Sequence, residues 1–211
     1  MGDAGSLPLF LGSVVAISLT GVMMPGPVTA VTIAKGYRHR QAGALVALGH
    51  GVIELPLIVL LYFGFASFSE TTEVRIAVGL VGGLMLLWMA LSILRTKPLA
   101  ISAGHDSPRG SVTAGVVTTS SNPYFFLWWA TVGAALLASA QEFGGGAVAA
   151  MAAIHWLCDA GWLLLISLVV FKSKRLWTDK VHRAVFGVCA AVLGGFGIWF
   201  IYSGIDLAVT G

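Results

Sequence analysis

Charged residues are scarce in this chain of 211 residues. Lys and Arg together number 12 and Asp and Glu number 9, so charged side chains make up 10% of the sequence and hydrophobic ones 57%. The mean hydropathy is +0.91. Because ordinary soluble domains carry about 25% charged residues, this composition excludes a soluble enzyme or a nucleic-acid-binding domain and predicts an integral membrane protein.

Cysteines and long polar segments are also scarce. The two cysteines, Cys158 and Cys189, both lie in apolar stretches, so we expect free thiols and no disulfide framework. The longest gap between apolar stretches, residues 95–111, is a short polar loop. We therefore expect one transmembrane domain over residues 1–211, with the lipid bilayer as its surroundings, no bound cofactor and no nucleic-acid partner.

Six apolar stretches are long enough to cross a bilayer, which takes about 20 residues per helix. They predict an all-α integral membrane protein with six transmembrane helices, hereafter spans one to six. Their approximate bounds are Leu7–Ile33, Ala44–Ala66, Val74–Leu94, Val112–Leu137, Ala147–Phe171 and Ala184–Ile205.

Basic residues are confined to alternate gaps between these stretches. The other gaps carry Glu70 and Glu73 or only Glu142, and Arg75 is the exception. Since basic loops stay on the cytoplasmic side, this alternation predicts a multi-pass protein of the cell membrane with both termini outside. Eleven of the twelve Lys and Arg residues follow the pattern: Lys35, Arg38 and Arg40; Arg95, Lys97 and Arg109; Lys172, Lys174, Arg175, Lys180 and Arg183.

Six spans with external ends divide into two sets of three, about residues 1–95 and 110–211, of which the second begins on the opposite face. Such inverted repeats are typical of secondary transporters. Three pairs of matching features support the duplication. They are breaks at Pro25-Gly26-Pro27 in span one and Ser121-Asn122-Pro123 in span four; His50 with Glu54 in span two and His155 with Asp159 in span five; and small residues in span three (Gly79, Gly83) and span six (Gly187, Ala191, Gly195).

The two breaks predict a substrate cavity near the midplane. Proline removes one hydrogen bond from a helix and clashes with the preceding turn, and freed backbone at membrane depth must be buried in protein or line a wet cavity. A helix that restarts there points its positive end at the cavity, which suits a carboxylate. The alternative is that the prolines only kink packed helices. The residues expected to bind substrate are Pro25, Gly26, Pro27, Ser121, Asn122, Pro123 and Tyr124.

The paired His and acid residues predict proton-coupling sites. His50 and Glu54, like His155 and Asp159, are four residues apart and share one helix face, so each His can contact its own acid. Ionisable groups are costly in hydrocarbon and usually serve transport, and a His next to a carboxylate can bind or release a proton near neutral pH. The alternatives are structural hydrogen bonds between helices, or histidines that reach the membrane surface.

Aromatic and small residues have a simpler expected role. Packing is the default for Phe125, Phe126, Trp128 and Trp129, which follow the break in span four, whereas Tyr124 is expected at the cavity. The small residues of spans three and six predict close helix contacts, either within one protomer or in a homodimer.

These residues resemble a known family. The run from Thr20 through Pro25-Gly26-Pro27 to Gly43, Gly49 and Gly51 is similar to the first signature of the LysE/RhtB amino-acid exporters, and Asn122-Pro123 with its aromatics is similar to the second. The resemblance implies a secondary transporter that exports an amino acid or a related small zwitterionic or anionic metabolite, driven by protons.

Two alternatives of other kinds stay open. Two histidines and two carboxylates could bind a divalent metal, which permits a metal-ion exporter or an intramembrane metal-dependent hydrolase. The chain contains neither an HExxH motif nor a convincing nucleophile–base pair, so we do not expect an enzyme. A purely structural membrane protein would leave the paired breaks without explanation.

Overall fold

The computed structural model describes residues 6–65, 72–95, 108–173, 176 and 178–210, and this part of the chain is helical. The helices are α1 (Leu7–Val22), α2 (Pro27–Gly36), α3 (Ala42–Leu60), α4 (Thr72–Leu94), α5 (Pro108–Ser120), α6 (Pro123–Trp128), α7 (Ala134–Glu142), α8 (Gly145–Lys172) and α9 (Asp179–Thr210). A π-helical turn, Leu61–Phe65, follows α3, and another, Trp129–Gly133, joins α6 to α7.

Among the described residues, four helical segments are long and apolar enough to cross a membrane. The pair α1 and α2, bent by 79°, makes a fifth if it counts as one span, and α4 contains a shorter apolar segment, Gly79–Ser92. The protein is therefore a helical, multi-pass membrane protein, while six crossings stay a prediction. The four segments are Ala42–Tyr62, Pro123–Glu142, Gly145–Lys172 and Arg183–Thr210.

Span one is broken where the sequence predicts. Helix α1 ends at Val22 and α2 begins at Pro27, with Gly26 in an extended conformation (φ −156°, ψ −169°) before it. Proline fits the first position of a helix because its missing N–H would have no intrahelical acceptor there. The break is thus a change of helix direction, and it leaves backbone groups at the two helix ends without intrahelical hydrogen-bond partners.

The second break lies between α5 and α6, again at the predicted residues. Asn122 caps α6, because its side-chain oxygen accepts the Tyr124 N–H at 3.2 Å, and Pro123 begins the helix. At the end of α5, the Ser121 hydroxyl donates to the Val117 carbonyl at 2.7 Å. Side chains therefore satisfy part of the backbone that the break leaves unpaired.

Helices α3 and α8 cross at the centre, and each buries one face. On both helices the buried residues recur every fourth position, so the ionisable pair of each helix lies in the middle of its buried face. Helix α3 packs against α5 and α8, and α8 also packs against α1 and α2. The two buried rows are Ala42, Val46, His50, Glu54 and Ile58 on α3, and Ala147, Met151, His155, Asp159, Leu163 and Ser167 on α8.

Two glycines allow the helices around α3 to approach each other. A Cβ on Gly43 would overlap the Leu163 carbonyl of α8, and one on Gly49 would overlap the Val112 carbonyl of α5. These are glycines of the run that resembles the exporter signature. Their place in the fold is to let α3 contact α5 and α8 backbone to backbone.

Helices α4 and α9 form a second close pair. The small face predicted on span three is used within the protomer: a Cβ on Gly79 would lie 3.0 Å from the Gly204 Cα, and one on Gly83 would lie 2.7 Å from the Gly197 carbonyl. The row predicted on span six makes no such contact, since a Cβ on Gly187 or Gly195 meets nothing within 4 Å. The contacting glycines of α9 lie on a different face of that helix.

Several predicted loop charges fall outside the described residues. Glu70, Lys97, Lys174 and Arg175 are among them. The orientation of the protein in the membrane therefore stays a prediction of the charge pattern.

Candidate functional site

A cavity lies where the two breaks face the central helices. Its empty volume is about 640 Å³ including its opening. Both breaks and both ionisable pairs contribute to its wall. The predicted site residues that line it are Pro25, Gly26, Asn122, Tyr124, His50, Glu54, His155 and Asp159.

Three predicted substrate-binding residues lie beside this lining. Pro27 and Pro123 are half-buried at the first positions of α2 and α6, so they shape the two breaks. The Ser121 side chain is exposed, and its hydroxyl donates a hydrogen bond to the Val117 carbonyl of α5.

The four ionisable residues form one cluster instead of two separate pairs. His50 Nε2 and His155 Nε2 each lie 3.1 Å from the same atom, Glu54 Oε1. Asp159 is less tightly held, with Oδ2 3.4 Å from His155 Nε2 and Oδ1 3.8 Å from His50 Nε2. All four residues are buried in the protein, and the packing of α3 against α8 brings the pairs together.

A hydroxyl group from a neighbouring helix orients each imidazole. His50 Nδ1 lies 2.9 Å from Thr119 Oγ1 of α5, and His155 Nδ1 lies 2.8 Å from Ser18 Oγ of α1. A hydroxyl can donate to a neutral ring nitrogen or accept from a protonated one. Each histidine can therefore gain or lose a proton without losing its hydroxyl partner.

Aromatic rings from the segment after the second break enclose the cluster. Trp129 Nε1–H donates to Glu54 Oε1 at 3.2 Å. Trp128 stacks on the His155 ring with centroids 4.8 Å apart, and Phe125 meets the His50 ring edge-on at 5.2 Å. Packing is the role expected for these three residues from the sequence. They also contact the ionisable cluster directly.

Sequence reasoning missed Ser18 and Trp129 as members of this site. Ser18 is a single hydroxyl in an apolar stretch, and its full burial is visible only in the fold. A useful signal would have been the requirement that a buried histidine find partners for both ring nitrogens. Thr119 lies in the polar run before Asn122, where such a partner could have been sought.

Two buried carboxylate oxygens of the cluster have no hydrogen-bond donor among the described residues. They are Glu54 Oε2 and Asp159 Oδ2, and the 3.4 Å separation of Asp159 Oδ2 from His155 Nε2 does not make a hydrogen bond. A buried acceptor without a donor is costly. The cluster is thus able to take a further donor or a cation.

The same residues could hold a metal ion. Donor atoms of His50, Glu54 and Asp159 lie within 4.8 Å of one another. Imidazole and carboxylate ligands together suit divalent transition metals.

Comparison with known protein families gives a match to the family described as LysE type translocator, over residues 19–204. No curated protein and no solved structure matches the chain significantly. The matched region contains both breaks, the cavity and the whole ionisable cluster. Members of this family are transporters and not enzymes, which rules out the intramembrane hydrolase. The chain belongs to the LysE type translocator family, and membership implies the export of small solutes such as amino acids.

Proposed function

We propose that this translocator is a secondary exporter of an amino acid or a related small zwitterionic or anionic metabolite, and that it is driven by proton antiport. The observation that carries the proposal is the meeting of two broken spans and four buried ionisable residues at one cavity. Broken helices supply polar backbone to a solute, and intramembrane His and acid residues supply a proton pathway.

The substrate would contact the two breaks. Pro25, Gly26, Asn122 and Tyr124 line the cavity. Pro27, Ser121 and Pro123 would act through the shape of the breaks.

Replacing Asn122 tests this substrate site. Asn122→Leu removes the cap of α6 and the polar group at the cavity, so we expect transport to be abolished while folded protein stays in the membrane. Loss of a helix cap costs only about 1 kcal/mol, which a packed helix tolerates. Ser120→Ala, at an exposed position of α5, is the matched control. Normal transport by Asn122→Leu would mean that this break is only a kink.

The proton sites of the proposal are His50, Glu54, His155 and Asp159. Each histidine keeps its contacts in either protonation state, so protonation changes the charge of the cluster more than its geometry. A neutral cluster is less costly to bury than a charged one. Proton binding could therefore favour one access state of the transporter over the other.

Flux in proteoliposomes tests the coupling. Radiolabelled amino acids should accumulate when a pH gradient is imposed and move only down their own gradient without it. In the double variant Glu54→Gln with Asp159→Asn, the dependence on the pH gradient should disappear. Glu142→Gln, which changes a carboxylate at the exposed end of α7, serves as the control. A double variant with unchanged gradient dependence would leave the cluster with a structural role only.

We also propose the inverted-repeat arrangement with both termini outside. Its support is reciprocal packing: α3 of the first half contacts α5 of the second, and α8 of the second contacts α1 of the first. Single cysteines at Ser69 and Glu142 should react from outside in intact cells. Cysteines at His105 and Lys174 should react only after permeabilisation, and external labelling at Lys174 would contradict the orientation.

A homodimer through small residues is a separate part of the proposal. Ala191 and Gly195 of α9 are exposed and not used by α4. We expect the variant Ala191→Cys to form disulfide-linked dimers in membranes under mild oxidation, whereas Trp88→Cys, on the exposed side of α4, should not.

Export of a divalent metal ion is the second candidate function, favoured by the three donors within 4.8 Å of one another. Tag-free purified protein would then retain about one equivalent of a divalent transition metal per chain. The Glu54→Gln, Asp159→Asn double variant should lose it. Metal-free protein that transports amino acids normally would exclude this function.

A further inference from the structure

We infer that Glu54 and Asp159 also bind the protonated amino group of the substrate, so that substrate and proton occupy the same two carboxylates in turn. This inference rests on the proposed export function. It narrows the substrate to molecules that carry an amine, and it assigns the cluster a direct contact with the solute.

The first observation is the unequal use of the carboxylate oxygens. Glu54 Oε1 already has three N–H groups around it, from His50, His155 and Trp129, at 3.1, 3.1 and 3.2 Å. Glu54 Oε2 and Asp159 Oδ2 have no donor among the described residues, although Glu54 and Asp159 are 0% and 7% exposed and line the cavity. An ammonium group offers three N–H donors and a positive charge, which these two oxygens lack.

The second observation is the polarity of another part of the cavity wall. Gly26, Val28 and Thr29, at the start of α2, line the same cavity, and no side chain caps this helix. The first N–H groups of a helix have no intrahelical acceptor and carry partial positive charge. A carboxylate would bind at the start of α2 and an amine at the acids, which is the charge pattern of an α-amino acid.

The remaining lining indicates an apolar side chain on that amino acid. The apolar residues that also line the cavity include Val22, Met24, Leu163 and Leu193, together with the rings of Phe125 and Trp128. A second charge on the substrate would find no partner among them. The cavity therefore suits a neutral amino acid with an aliphatic side chain, for which L-leucine is a suitable probe.

An anionic solute without an amine is disfavoured by the same geometry. It would bring a third negative charge to a cavity that already contains two carboxylates, without relieving their unpaired oxygens. The amine is thus the group that distinguishes a substrate from other small carboxylic acids.

Competition with protons follows from the shared oxygens. The titratable groups close to Glu54 and Asp159 are His50 of α3, His155 of α8 and the neighbouring Cys158 of α8, while Tyr124 of α6 lines the same cavity. Among the described residues, α1 and α5 add only the hydroxyls of Ser18 and Thr119 at the two histidines. A proton on either acid removes the charge that the ammonium group needs, so one cargo must leave before the other binds.

Counterflow in proteoliposomes tests the inference. L-leucine, L-valine and L-methionine are each compared with the 2-hydroxy acid of the same side chain, which replaces the amine by a hydroxyl of similar size. We expect the amino acid to exceed its hydroxy analogue in kcat/KM by at least about tenfold, because a charge-assisted hydrogen bond is lost. Lowering the pH on the substrate side should raise KM for the amino acid and leave kcat unchanged.

Variants provide a readout that a structural role would not change. In Asp159→Asn the preference for the amino acid over its hydroxy analogue should fall towards one, whereas in Glu142→Gln it should keep its wild-type value. Glu54→Gln provides the same measurement should Asp159→Asn fold poorly.

Four outcomes would overturn the inference or part of it. Equal transport of amino and hydroxy acids by the wild-type protein would do so while export itself stands. An unchanged preference in both folded variants would remove the acids from the amine site. Transport of neither compound would contradict the aliphatic substrate, and absence of flux for every radiolabelled amino acid would contradict the proposed function and the inference with it.

Discussion

The two His–acid pairs have the same spacing in the sequence but different surroundings in the fold. Both histidines contact a hydroxyl of a neighbouring helix, at 2.9 Å for His50 and 2.8 Å for His155. The acids differ: Glu54 is fully buried, with both histidines and Trp129 within 3.2 Å of its Oε1, whereas Asp159 is 7% exposed and lies 3.4 and 3.8 Å from the two histidines. Equal motifs therefore predict unequal roles, with Glu54 as the centre of the cluster and Asp159 as its more adaptable member.

Of the variants that test this difference, Glu54→Gln should have the largest effect on stability and on transport. The neutral amide accepts hydrogen bonds more weakly and adds an N–H group among three existing donors. We expect a loss of about 1–3 kcal/mol in stability, together with a loss of nearly all pH-gradient-driven flux. Thermal unfolding and flux of the purified variant measure the two effects. An unaltered melting temperature would contradict the central position of Glu54.

Asp159→Asn should separate coupling from stability. Asn resembles the neutral acid in shape, and the oxygen it alters has no donor to lose. We expect gradient-driven flux to fall strongly while slower exchange between substrate pools persists, with little change in melting temperature. If Asp159→Asn destabilised the protein as much as Glu54→Gln, the two acids would be equivalent after all.

Replacing the hydroxyl partners of the two histidines should have an intermediate effect on stability and transport. The effect should be equally large for the partner of His50 and for the partner of His155. Ser18→Ala and Thr119→Val each leave one buried imidazole nitrogen without a partner, at a cost of about 1 kcal/mol. Because the Nδ1 contacts are alike in length, the two variants should shift the pH dependence of transport by similar amounts. Ser120→Ala, at an exposed position of α5, is the control. If the pH dependence shifted in only one of the two variants, the histidines, like the acids, would differ in their roles.

Trp129→Phe should have the smallest effect on transport. It keeps an aromatic ring but removes the five-membered ring of the indole and with it the N–H that donates to Glu54, one of three groups around the same oxygen. We expect a loss of about 0.5–1.5 kcal/mol in stability and retention of transport. The matched comparison is Trp156→Phe. It removes a comparable hydrogen bond, which the Trp156 indole N–H of α8 donates to the Ala47 carbonyl and not to either acid. Complete loss of transport in Trp129→Phe alone would give this indole a role beyond support.

Local chemistry explains what could be predicted from the sequence. Composition determines the membrane environment, since so few charges cannot cover a soluble surface. Proline geometry determines where spans one and four are interrupted, and a four-residue spacing determines that each histidine shares a face with its acid. These rules act between residues that are neighbours along the chain. They hold whatever the remaining helices do.

The tertiary structure alone decided how those elements meet. The Ser18–His155 contact joins residues 137 positions apart, and Trp129 donates to an acid 75 positions away. No local pattern encodes such contacts, because they depend on the packing of α1 against α8 and of the turn after α6 against α3, and on the crossing of α3 and α8, to which the close approach at Gly43 contributes. The same crossing made one cluster of two similar pairs and left one oxygen of each acid without a donor. The physical reason is that both histidines direct Nε2 to the same oxygen, Glu54 Oε1, so that Glu54 Oε2 has no donor among the described residues.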